Sequence, residues 1–115
     1  MANTHRGEIE ATLDGTSRRL CLTLGALADL EQAFGVEDML ALAERFGSGR
    51  IAARDAIRII GAGLRAGGYM VDDAAVGEMH VEGGAAAFVD IVARLLLATF
   101  GRDSSTVEPV NAGNG

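Results

Sequence analysis

Only one segment of this chain alternates apolar and polar residues with period two, and it lies at the start. Ile9, Ala11 and Leu13 alternate with Glu8, Glu10 and Thr12, and Leu20, Leu22 and Leu24 alternate with Arg19, Cys21 and Thr23. That is the signature of two strands, each with one buried face. Asp14-Gly15 stands between them, and glycine supplies the positive φ of a tight hairpin turn. A two-residue loop pairs Ile9 with Leu20 and Glu10 with Arg19. A four-residue loop over 14–17 pairs Ile9 with Leu22 and Thr12 with Arg19. Both keep the apolar side chains on one face, so the parity is determined and the slip stays open. Two strands alone are marginal in water, and the hairpin must pack on helices or on another subunit.

Everything that follows has helical spacing. Thr23 caps a first helix with Leu27, Leu30 and Phe34 on its buried stripe and Gly35 as its stop. A second helix begins at Glu37-Asp38, where acids suit the positive end of the dipole, and carries Met39, Leu42, Ala43 and Phe46 before Gly47. A third, over 52–66, places Ala53, Ile57, Ile60 and Leu64 on one face. Gly61 and Gly63 lie inside it, each costing about 1 kcal/mol against alanine, which points to a close crossing there. A short fourth helix is expected over 73–79, capped by Asp72. The longest and most apolar runs over 85–100, with Phe88, Ile91, Val92, Leu95, Leu96 and Thr99 on a face broader than one neighbouring helix covers. It is either the central core helix or part of a subunit interface. The expected fold is α+β and mainly α: an N-terminal hairpin, then four or five helices in a compact bundle. Residues 1–101 form a single domain in this reading, and 102–115, rich in Ser, Asn and Gly, a disordered tail.

Charge narrows the partners. Ten basic residues, all arginine, face sixteen acids, for a net charge of −6. No basic stripe is present to displace counterions from phosphates, which argues against nucleic acid, and an anionic membrane surface is disfavoured for the same reason. No run reaches the ~20 apolar residues of a spanning helix. Met1–Arg6 is polar with no apolar run behind it, so no signal peptide is expected and the protein is expected in the cytoplasm.

Site chemistry is sparse. His5 and His80 have no metal-binding partner at helical spacing, and a lone Cys21 excludes an internal disulfide. Cys21 has only Arg19 as a basic neighbour, too little to make a reactive thiolate. Ser48, Ser104 and Ser105 lack the surroundings of a hydrolase nucleophile. The Gly61-Ala62-Gly63 stretch is followed by no Gly-Lys-Ser/Thr and lies in a helix, so it is no phosphate loop. Asp72, Asp73, Glu78 and Glu82 do not follow the calcium-loop pattern. The chain is read as no enzyme, with no catalytic residue, cofactor or metal.

Four stretches carry a family likeness: Arg6 to Gly15 (RGEIEATLDG), Leu22 to Glu31 (LTLGALADLE), Ile60 to Arg65 (IGAGLR) and Leu97 to Gly101 (LATFG). Together they resemble the gene transfer agent family of tail assembly chaperones, found in phage-like gene clusters of alphaproteobacteria, over about residues 5–101. The resemblance implies a cytoplasmic, non-enzymatic protein that binds the long tape measure protein, with other tail proteins as partners and a homo-oligomer as a further expectation. The broad apolar helix and an unpaired hairpin edge suit such contacts, because exposed apolar patches on small domains mark interaction sites. On that helix Phe88, Val92, Leu95 and Leu96 are the candidates for self-assembly or tape-measure contact, against plain core packing. The rival reading is a structural tail component such as a tube or terminator subunit, and behind it a small ligand-binding or enzyme domain.

Overall fold

The hairpin closes with the shorter of the two possible loops. In the computed structural model, which describes residues 7–47 and 50–101, β1 (Glu8–Leu13) pairs antiparallel with β2 (Thr16–Cys21). Ile9 lies opposite Leu20 and Glu10 opposite Arg19. Asp14 (φ 54°) and Gly15 (φ 76°) are both left-handed, the geometry whose twist matches that of the strands. Asp14 tolerates this better than most residues, and it is clasped from outside. Its N–H donates to the His80 carbonyl and its Oδ1 accepts the His80 N–H, both at 2.8 Å. The second strand stops at Cys21 rather than running on to Leu24, because the Thr23 hydroxyl accepts the Ala26 N–H at 3.1 Å and starts a helix there. Leu24 is consequently 74% exposed.

Five helices follow: α1 (Leu24–Phe34), α2 (Met39–Phe46), α3 (Ala53–Ala66), α4 (Asp73–Gly77) and α5 (Ala85–Phe100). The fold is α+β and mainly α. Asp38 and Asp72 cap α2 and α4, each accepting a backbone N–H at 2.8 Å. Gly35 ends α1 in the left-handed conformation. The fourth helix is two residues shorter than expected. The N–H groups of Glu78 and Met79 turn back to Ala75 and Val76, three residues away, which tightens the chain out of the α-helix.

α3 is the hub, touching β2, α1, α4 and α5. Ile59, Ile60 and Leu64 are fully enclosed with Leu13, Leu20, Leu42, Val92 and Leu95. The interior glycines of α3 account for its close contacts. A Cβ at Gly63 would lie 2.8 Å from Leu95 Cδ2 and 3.3 Å from Leu20, so the glycine lets α5 and β2 close on α3. At Gly61 the space is taken by the Asp73 carboxylate, 3.1 Å from Arg65 and 4.0 Å from Arg58. The expected crossing is therefore at Gly63, while Gly61 seats the ion pair that holds α4. At the other end Asp55, buried in the first turn of α3, lies 3.8 Å from Arg45, whose guanidinium rests over the Phe34 and Phe46 rings. Among the described residues no helix is long and apolar enough to cross a membrane. The expected disordered tail, 102–115, falls outside the described residues, as do His5 and Ser48.

Candidate interaction face along α5

The four partner-contact candidates separate into two kinds. Val92 and Leu95 are wholly enclosed and belong to the core, where they cannot meet a partner while the fold is intact. Phe88 and Leu96 are half-buried and each forms the wall of a cleft. One cleft, of about 300 Å³, lies between α3, α4 and α5 and is lined by Ile57, Ile60, Val76, Met79 and Phe88. The other, of about 380 Å³, lies between α2 and α5 and is lined by Ala43, Phe46, Ala93, Leu96, Leu97 and Phe100. Ile51 and Val89 line both, which makes them one trough along α5. No charged residue lines either, so the trough has the chemistry of a surface that receives apolar side chains and none of the convergent polar groups of a ligand site.

The residues of α5 most open to solvent beside the trough are Val89, Ala93 and Leu97, the last 69% exposed. Reading the helix for its most apolar face passes over them. Their mark in the sequence is a second one: spacing at 89, 93 and 97 with no charge among them.

Each hairpin edge, expected to be unpaired, is contacted at one outward-facing position. A two-residue turn makes Leu13 and Thr16 the closing hydrogen-bonded pair, so the backbone groups of Glu10 and Arg19, three steps on, face outward. Both are engaged. Arg94 of α5 donates to the Glu10 carbonyl at 3.1 Å, and the Arg19 N–H donates to Tyr69 Oη at 3.4 Å. These caps blunt the sheet as a template for strand addition.

No group among the described residues points to catalysis. His80 serves through its backbone, as the clasp on the hairpin turn. Among the described residues no cluster of three or more His, Cys, Asp or Glu could hold a metal ion. The Cys21 thiol is pushed up from its ordinary pKa, first by burial and then by Glu8, with Arg19 opposing. Less thiolate forms at neutral pH, so Cys21 should react with iodoacetamide several-fold more slowly than the same thiol in the urea-unfolded chain. Equal rates would show that the thiol is open and unperturbed.

A comparison with family models matches residues 6–102 to the family described as phage tail tube protein, GTA-gp10. The chain belongs to this family. Searches of curated proteins and of solved structures found no match. The GTA-gp10 family match agrees with the gene transfer agent and phage tail part of the sequence reading, and its description is of a tube protein, not a chaperone. A GTA-gp10 tail protein is a structural component whose partners are other tail proteins. Such a role requires contact surfaces and no reaction centre, and a charge-free trough beside α5 is a surface of that kind.

Proposed function

We propose that this protein is a non-enzymatic structural component of the tail tube of a gene transfer agent or siphophage-like particle, made in the cytoplasm and joined there to other tail proteins. The observation that carries this reading is the family match over residues 6–102. The trough along α5 supports it as a surface for a neighbouring subunit, with Phe88 and Leu96 in its walls. A second reading, a chaperone that holds the tape measure protein before the tube forms around it, is favoured by one feature of the fold. The sheet among the described residues has only two strands of six residues, each contacted at one outward-facing position, so subunits have a short edge to join by strand addition.

Quantitative mass spectrometry of purified particles separates the two. A tube component is expected in many copies per particle. A chaperone is absent from the particle, and its deletion leaves the tape measure protein insoluble.

A further inference from the structure

α5 has two opposite apolar sides. Ile91, Val92 and Leu95 enter the core, while Ala86, Val89, Ala93 and Leu97 are exposed and Phe100 is half-buried at the end. The outward four succeed one another at intervals of three, four and four residues, and Phe100, packed against the core, continues the spacing at the helix end. Over fifteen residues that spacing keeps them on one seam, as in helices that pack along their length on another helix. A helix side meant for water would carry charge, and the only charges on α5 are Asp90 and Arg94, both on one flank of this seam.

The seam is complementary to itself when reversed. About Ala93, Val89 falls opposite Leu97, and Ala86 falls opposite the helix end, where Phe100 is packed against its own core. Ala93 meets its own copy at the centre, where a small side chain lets two helix axes approach to about 8 Å. The charges agree. Asp90 and Arg94 are one turn apart and 3.1 Å from each other within the chain. A two-fold axis at Ala93 lays the Asp90 of each copy beside the Arg94 of the other. The receiving surface is formed as well: Leu97 of one copy comes over Val89 of the other, where the two clefts join at Ile51.

We propose that a second copy of this chain covers the face, α5 packing antiparallel on α5 about a two-fold axis at Ala93. The pairing is isologous and closed, so it yields a dimer and not a chain of subunits. It goes beyond the tail-tube reading and does not depend on it, since its test uses the isolated protein.

The test is light scattering on the full chain, with cysteine cross-linking for the geometry. The wild type is expected at twice the 11.9 kDa chain mass. Leu97→Glu and Ala93→Arg, both at exposed positions, are expected to run at the single mass with unchanged circular dichroism. In a Cys21→Ser background, Ala93→Cys should cross-link to itself. Val89→Cys and Leu97→Cys should cross-link to each other when mixed and not to themselves. A wild type that stays monomeric at micromolar concentration overturns the proposal. So does an oligomer that survives Leu97→Glu, or a Val89→Cys chain that cross-links to itself, which indicates a parallel pairing.

Discussion

Leu95→Ala is expected to lower the free energy of unfolding by about 2–5 kcal/mol, the loss of a large buried side chain together with the cavity it leaves. Leu95 is fully enclosed, and its Cδ2 lies against the gap at Gly63, where α3, α5 and β2 meet. Gly63 has no side chain of its own to fill the space. For a chain of this size the midpoint of thermal unfolding should fall by about 8–20 °C. Leu40→Ala, at a position 68% exposed, should stay within about 0.5 kcal/mol of the wild type. Urea melts of the two variants side by side check this. Equal losses would mean that Leu95 is not the core residue its burial indicates.

Gly67→Ala should also destabilise, by about 1–3 kcal/mol, although the backbone itself would accept alanine. Gly67 ends α3 at φ −80°, an ordinary value for any residue. Where nothing else intervenes, replacing glycine in such a conformation stabilises by about 0.4–1 kcal/mol, because the unfolded chain loses freedom. Here the added methyl would overlap the carbonyl of Arg19 on β2. A backbone carbonyl in a paired strand cannot swing aside as a side-chain end can. Gly25→Ala is the matched control: near the start of α1, a Cβ there meets only Thr23 Oγ1, at 3.8 Å, and the change should be neutral or stabilising. If Gly67→Ala is neutral too, the approach of α3 to β2 is looser than the packing shown.

The contrast between those two glycines also shows what could be read in the chain and what could not. Local signals are written in neighbouring residues. Thr23, Asp38 and Asp72 begin helices through side chains that satisfy the N–H group three residues on, and Gly35 ends one through its positive φ. The hairpin parity is legible for the same reason, from alternation within a dozen residues. Its register is not, because the clasp that holds the turn comes from His80, 66 residues away. The function of Gly67 is hidden likewise: a helix-ending glycine and a glycine that admits a strand look the same in sequence.

The interaction face was harder to read. α5 is apolar nearly all round, with Val92 and Leu95 on one side and Val89, Ala93 and Leu97 on the other. No polar stripe says which side faces the core, so the bulkier residues stand out as candidates for contact, and two of those four are interior. Arg94 is consistent with that orientation, through its bond to the Glu10 carbonyl. That bond spans 84 positions, beyond the reach of any local pattern.

The same long spans set the order in which the chain becomes a protein. β1 and β2 leave the ribosome before any of the five helices. Yet the strand is braced by Arg94 and its turn by His80, both in the last third of the chain. A two-stranded ribbon has little stability by itself, so the hairpin waits through most of synthesis for α5 to arrive. Loops of this length close late in folding. A chain truncated short of α5 should therefore hold no folded hairpin, and strands made ahead of the helices are among the last parts to be secured.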